Sequence, residues 1–336
     1  MPALSMKVDV ETYRFAQPFR ISGFVFEQAP VVVVTLHDGI HEGRGEASGV
    51  YYTGDDVDHM LAVLEEHRSR IEDGPGREEL RTVMPIGGAR NAVDCAMWEL
   101  EAARSGNPPW QLAGQGEPRP LVTTFTLGAE DPAVMAESAK GFSRARSLKL
   151  KLTGDLDLDL DRVRAVRAAR PDVWMGVDAN QGFSIDQLDA LLAGLLDAEV
   201  SLLEQPLRRG READLEGFKS PIPIAADESV LGLADVAGLV GRFDVVNIKL
   251  DKCGGLTEGL KMAKEARRLG LGVMVGNMVG TSLSIAPAFV LGQVCDFVDL
   301  DGPIFLSSDR QPSVAYEDGK VWCGEDIWGA RSRVTA

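Results

Sequence analysis

The stretch SLKLKLTGDLDLDLDRVRAVRAARPDVWMGVDAN, residues 147–180, contains one repeat of the pattern that decides the fold. Its first part, SLKLKL, alternates as a strand does: Leu148, Leu150 and Leu152 share one face, and Lys149 and Lys151 share the other. A surface strand would hold both lysines in water, and these six residues alone do not decide between water and an enclosed site. The middle part, DLDRVRAVRAAR, has helical periodicity, and WMGVDAN reads as a second β-rich run.

The same alternation continues on both sides. From about residue 120 onward the β-rich runs are VTTFTL, SLKLKL, WMGVDAN, SLLEQP, IPIAADES, VVNIKL, GVMVGNM and FVDLDG, with helical segments such as LTEGLKMAKEARRLG between them. Eight such runs alternating with helical segments predict a parallel α/β barrel. The structural rival is an open doubly wound sheet, but no GxGxxG turn follows the first strand to support it. Residues 1–118 read differently. Strand-like VDVETYRFA and VVVVTLHDG lead into helices at about 55–72 and at GARNAVDCAMWELEAARSG, an α+β unit joined to the barrel through GEPRP at 116–120. The expected division is therefore an α+β unit at 1–118, a barrel at 119–310 and a C-terminal segment at 311–336. No barrel helix follows Pro303, so that last segment is expected to return to the N-terminal unit.

Composition excludes several classes of function. The net charge of −16 over 336 residues argues against nucleic acid or an anionic membrane as partner, because both call for a positive surface. A small ligand in a locally basic pocket remains compatible. No apolar run reaches the ~20 residues of a membrane span, and the start, MPALSMKVDVETYRF, lacks a signal-peptide pattern, so a cytoplasmic location is expected. Cys95, Cys253, Cys295 and Cys323 are widely separated, which fits reduced, buried thiols and neither structural zinc nor disulfides.

In a parallel barrel the reactive groups stand at the C-terminal ends of the strands. The third, fourth and fifth runs end in Asp178, Glu204 and Asp227, which together outline an all-oxygen site for a hard cation such as Mg2+. The sixth ends in Lys249, across the site from Lys149 and Lys151. Taken singly, each acid could be a helix N-cap and each lysine a solvated charge. In combination, placed among apolar residues, they would be costly to bury unless they neutralise one another around a metal.

These motifs resemble the enolase superfamily, in the branch related to muconate lactonizing enzyme, and within it the dipeptide epimerases typified by L-Ala-D/L-Glu epimerase. The resemblance is carried by Lys149-Leu150-Lys151, VDAN with Asp178, LEQP with Glu204, ADES with Asp227, VNIKLDKCGGLTE with Lys249, DLDGP with Asp299 and Asp301, and GARNAVDCAMWELEA in the N-terminal unit. It implies a modified TIM barrel, (β/α)7β, with an N-terminal α+β capping domain. It also implies Mg2+ held by Asp178, Glu204 and Asp227, and a dipeptide substrate passing through an enediolate. Lys151 and Lys249 would act as acid/base catalysts on opposite faces of the α-carbon. Lys149 would depress the pKa of Lys151 and help to hold the substrate carboxylate, Asp299 and Asp301 would bind the substrate ammonium, and Thr126 would touch the substrate. All four histidines, His37, His41, His59 and His67, lie in the first unit, so no barrel strand offers a histidine base.

The resemblance departs at PFRISGFVFEQA, residues 18–29, where glutamate-specific relatives carry an arginine and this chain has Gly23, Phe24 or Phe26. A phenyl ring offers no donor to a buried carboxylate, so a small or hydrophobic C-terminal residue is expected to be preferred over Glu. Arg20 is the competing candidate for the missing donor. The alternatives are L-Ala-D/L-Glu epimerase proper, o-succinylbenzoate synthase or N-acylamino acid racemase, whose substrates lack a free α-ammonium group, and a non-catalytic metabolite-binding barrel. Assembly as a homo-oligomer is left open.

Overall fold

The computed structural model describes residues 3–21 and 24–330, the side chains of residues 19, 20, 21 and 24 excepted. The N-terminal unit is a three-stranded antiparallel sheet, β1 (Ser5–Ile21), β2 (Phe24–His37) and β3 (Glu42–Ala47), with helices α1 (Val57–Glu72), α2 (Arg77–Val83) and α3 (Gly88–Ser105). The run Val31-Val32-Val33-Val34 is buried throughout because both faces of β2 are covered. Val32, Val34 and Leu36 pack with Met60, Leu64 and the α3 residues Ala92 and Ala96, while Val31 and Val33 join the barrel core.

Helix α3 lies directly on β3. A Cβ at Gly43 would sit 2.1 Å from the Ala96 carbonyl oxygen, and one at Gly45 2.0 Å from that of Ala92, so only glycine permits this approach. The polar, glycine-rich sequence EGRGEA hides β3 from a periodicity reading for the same reason. Sandwiched between the sheet and the barrel, α3 buries almost every residue it has, including Arg90, Asn91, Asp94 and Glu99.

The expected eight runs are eight parallel strands in sequential order, with β4 (Leu121–Val122) immediately before them. They are β5 (Thr124–Leu127), β6 (Ser147–Lys151), β7 (Trp174–Asp178), β8 (Leu202–Glu204), β9 (Ile224–Ala226), β10 (Val245–Lys249), β11 (Gly272–Gly276) and β12 (Phe297–Val298). Side chains bridge the first and last strands: the Leu300 N–H donates to Thr123 Oγ1 at 2.9 Å, and Thr124 Oγ1 donates to Asp299. The barrel is thus nearly closed, a TIM barrel with a separate capping sheet. Leu148, Leu150 and Leu152 face the surrounding helices in the main core. Inside, Leu202, Ala225, Val245 and Met274, with Trp174 and Phe297 against them, fill one layer with apolar groups. The layer above it, toward the C-terminal strand ends, is charged.

After residue 310 the chain forms a hairpin, β13 (Ala315–Glu317) and β14 (Lys320–Trp322), that pairs with β4. It then contacts the N-terminal unit: Trp328 Nε1 donates to the Arg44 carbonyl at 3.0 Å, and the Gly329 N–H donates to Glu99 Oε1 at 3.3 Å. Among the described residues no helix is long and apolar enough to cross a membrane.

Candidate active site

Parallel pairing puts the ends of neighbouring strands side by side, with Lys151 opposite Asp178 and Asp178 opposite Glu204. Asp227 follows β9 by one residue. The three acids each offer one oxygen within 4.8 Å of the others, and all three are buried.

Four ammonium groups neutralise this cluster. Lys151 Nζ is 2.6 Å from Asp178 Oδ2, and Lys249 Nζ is 2.6 Å from Asp227 Oδ2. Lys149 Nζ lies 2.8 Å from Glu204 Oε2, 2.7 Å from Asp299 Oδ2 and 3.5 Å from Asp178 Oδ2. Lys252 Nζ donates to Asp227 Oδ1 and to the Asp227 carbonyl, each at 2.6 Å. Asn247 Nδ2 completes the shell with a 2.7 Å bond to Glu204 Oε1.

The electrostatics follow from this arrangement. Burial, then Asp178, pushes the Glu204 carboxyl up to about 7, since Lys149 and Lys249 do not offset burial and the neighbouring acids. Burial also acts to raise Asp227, but Lys249 and Lys252 outweigh it and hold that carboxyl well below the usual range. Burial pulls Lys149 down, yet Asp299, Glu204 and Asp178 together hold its ammonium well above its ordinary value. Lys149 is therefore a firmly protonated counter-ion set among acids.

Over the acids opens a cavity of about 240 Å3 with Lys151, Lys249, Asp227 and Glu228 in its lining. The capping unit contributes an aromatic wall of Phe15, Phe26, Tyr51 and Tyr52. The Phe26 and Tyr51 ring centroids are 5.4 Å apart, and those of Tyr51 and Tyr52 5.2 Å, both edge-on. Four buried atoms of the lining, Tyr52 Oη, Asn180 Oδ1, Glu228 Oε2 and Asn277 Oδ1, have no hydrogen-bond partner within the described residues. Such groups carry a desolvation cost that a ligand can relieve.

Of the residues singled out in the sequence, Lys151, Lys249, Asp227 and Phe26 line this cavity, with Asp178 and Glu204 in contact beneath it. Lys149, Thr126, Asp299 and Asp301 are buried and are not in its lining. Asp299 is paired with Lys149, and Asp301 Oδ2 accepts from the Thr126 N–H at 2.7 Å. Gly23 and the side chains of Phe24 and Arg20 lie outside the described residues.

Sequence reasoning missed Lys252, Asn247, Glu228 and the two tyrosines. Lys252 stands three residues after Lys249 in KLDKCGG and Glu228 adjoins Asp227, so strand-end neighbours were the available signal. Nothing local marks Tyr51 and Tyr52, which reach the site only because the capping unit docks there.

The donor set fits a hard divalent cation. It is all oxygen and enclosed, and like-charge crowding on Glu204 is the strain a cation would relieve.

Residues 4–114 match the mandelate racemase / muconate lactonizing enzyme N-terminal domain family, and residues 133–323 match the enolase C-terminal domain-like family. The chain belongs to the enolase superfamily, in its mandelate racemase / muconate lactonizing enzyme branch. It is 38% identical over 317 residues to the L-Ala-D/L-Glu epimerase of Escherichia coli, covering 94% of this chain and 99% of that one. A crystal structure of an enolase family member from Agrobacterium tumefaciens with homology to dipeptide epimerases, with sodium and L-Ala-L-Glu bound, superposes with a TM-score of 0.93 at 41% identity, covering 97% of this chain and 100% of that one. A dipeptide epimerase from Enterococcus faecalis, complexed with Mg and L-Leu-L-Tyr, gives a TM-score of 0.90 at 27% identity, covering 96% of this chain and 98% of that one.

Proposed function

We propose that the protein is a dipeptide epimerase that inverts the α-carbon of the C-terminal residue by two-lysine 1,1-proton transfer. The single observation that carries this is the convergence of Lys151 and Lys249 on one cavity from opposite sides of a buried acid cluster. A proton α to a carboxylate is very weakly acidic, so its removal must be coupled to stabilisation of the charge that moves onto the carboxylate oxygens. Mg2+ held by Asp178, Glu204 and Asp227 would supply that positive charge at the carboxylate. The protein's own part is to bring one lysine to each face. One accepts the α-proton, the other returns a proton to the opposite face, and the centre is inverted. The aromatic wall excludes water from the reacting centre and offers apolar surface to the substrate side chain. Relatives of this chain act on, or have been captured with, both acidic and hydrophobic dipeptides, and the wall of Phe15, Phe26, Tyr51 and Tyr52 favours a small or hydrophobic C-terminal residue here. The resident substrate is a small molecule, consistent with a cytoplasmic enzyme.

A second reading is racemisation of an N-acylated amino acid. The Lys149–Asp299 pair favours it, because that pair spends inside the protein one of the two carboxylates that would bind a substrate ammonium, a group that an N-acylated substrate lacks.

The test is deuterium incorporation from D2O into a library of L,L-dipeptides with Mg2+ present, read by mass spectrometry. Epimerisation with label at the C-terminal α-carbon is expected, and Lys151→Ala and Lys249→Ala should each abolish it while leaving exchange from one diastereomer. Wild-type epimerisation in either variant removes that lysine from the mechanism.

A further inference from the structure

Lys249 ends β10, and the chain then makes a single helical turn, Leu250–Cys253, before Gly254 and Gly255. The capping unit grips that turn at both ends. At its start, Asp251 Oδ1 accepts from the N–H groups of Ser48 and Gly49 at 2.8 and 3.0 Å. At its finish, the Cys253 and Gly254 carbonyls accept from Arg90 of α3, from Nη2 at 2.5 Å and Nε at 3.2 Å. A turn this short leaves such carbonyls without helical partners, so the guanidinium is their cap. Arg90 is itself 3% exposed and fixed from behind by bonds from Nη1 to the Arg81 and Met84 carbonyls at 3.1 and 3.3 Å.

The fit is tight. A Cβ at Gly254 would lie 2.3 Å from Arg90 Nε and one at Gly255 2.4 Å from Asp94 Cβ, and both glycines have left-handed φ, +79° and +115°. The following helix is tied to the same surface: its Thr257 N–H donates to Asp94 Oδ2 at 2.9 Å, and Trp98 Nε1 donates to Thr257 Oγ1 at 2.9 Å.

Lys151 is held differently. The turn that follows it is closed by a barrel residue, Asp159, whose Oδ2 accepts from the N–H groups of Thr153 and Gly154 at 2.9 and 2.8 Å. Asp159 in turn is paired at 2.6 Å with Arg162, also of the barrel.

We infer that Arg90 is a positioning residue for Lys249 and not for Lys151, so that the capping unit sets one base of the pair and the barrel sets the other. This rests on the two-lysine reading above. Cap docking then controls the rate at one face of the substrate, and changes in the capping unit shift the balance between the two directions of proton removal.

The experiment measures initial α-deuterium wash-in from D2O, with Mg2+, starting separately from each diastereomer of one accepted dipeptide. Lys249→Ala identifies the diastereomer that Lys249 deprotonates. In Arg90→Lys, which keeps the charge but loses the fork, exchange from that diastereomer should fall by about tenfold or more, the scale of a small misplacement of a reacting group, while exchange from the other is largely kept. The ratio of the two rates does not depend on how much protein folds, so a purely structural defect leaves it unmoved. Asp251→Ala, which cuts the other tether, is read in the same way. An unchanged ratio in both variants overturns the inference. A wild-type protein that exchanges neither diastereomer of any dipeptide overturns instead the functional reading on which it stands.

Discussion

Lys149 Nζ lies 2.7 Å from Asp299 Oδ2, in a contact buried on both sides. The two carboxylates of DLDGP are therefore not equivalent: one is paired with an ammonium inside the protein, while Asp301 is held by Thr126, whose N–H donates to its Oδ2, and not by a cation. Burial, then Asp299, pushes the Asp301 carboxyl up to about 7, which a substrate ammonium would reverse. Asp301→Ala should therefore lose kcat/KM for free dipeptides far more than for N-acetylated ones, on the scale of the ~2–5 kcal/mol attached to a buried charge partner. The free-dipeptide KM should also rise as pH falls through about 7, where Asp301 takes up a proton. Asp299→Asn should instead hurt both substrate types alike, because it strips a counter-ion from Lys149. Equal loss of both substrates in Asp301→Ala would contradict the ammonium assignment and favour the N-acyl reading.

The metal site makes a separate demand. Lys149, Lys151, Lys249 and Lys252 already neutralise the acids that would hold the cation, so the fold does not need the metal to bury them. Exhaustive chelation should abolish turnover while the circular dichroism melt remains cooperative. Asp227→Asn should lose Mg2+ binding by calorimetry together with activity. Full turnover after chelation, or in that variant, would remove the metal from the mechanism.

Much of this was legible from the strand ends. Period-two alternation separates Lys149 and Lys151 from the flanking leucines, and parallel pairing lines up Lys151, Asp178 and Glu204 without further information. What stayed hidden depends on contacts between distant segments. Arg90 meets Cys253 across 163 residues, and Asp299 meets Lys149 across 150. No period or local motif encodes either, and Tyr51 and Tyr52 reach the cavity only through domain docking.

Asp251 gives a stability prediction with a definite sign. Burial pushes its carboxyl up to about 7 despite the Ser48 and Gly49 N–H groups, with Asp55 and Glu46 adding to the rise. A folded-state value above the unfolded one means that folding favours the protonated form. Its contribution to stability is thus fully present below about pH 4 and is lost as pH rises toward 7, by at most ~4 kcal/mol for a shift of about three units. Asp251→Asn keeps an oxygen acceptor and removes the charge, so its melting temperature relative to the parent should climb between pH 5 and pH 8. A difference that stays flat over that range would mean that Asp251 is not the buried, uncompensated acid described above.

The side chain of the epimerised residue is the last matter that the cavity bears on. Phe15, Phe26, Tyr51 and Tyr52 present ring surface, and the cations in the lining, Lys151 and Lys249, are already assigned to the α-carbon. A glutamate carboxylate placed against the rings would lose its hydration without gaining a donor from them, apart from the Tyr52 hydroxyl, whereas an apolar side chain gains roughly 25 cal/mol for each Å2 it buries. Discrimination by an unmatched polar group is usually larger than discrimination by one methylene, so the preference should be visible across a simple series. We expect kcat/KM over L-Ala-L-Xaa dipeptides to be highest for small or hydrophobic Xaa and low for L-Ala-L-Glu. Phe26→Arg should raise activity on L-Ala-L-Glu while lowering it on the hydrophobic members, because it exchanges ring surface for a guanidinium. If L-Ala-L-Glu leads the parent series, the wall does not set the preference. In that case Arg20→Ala becomes the informative variant, and loss of the glutamate preference in it would assign the distal carboxylate to Arg20.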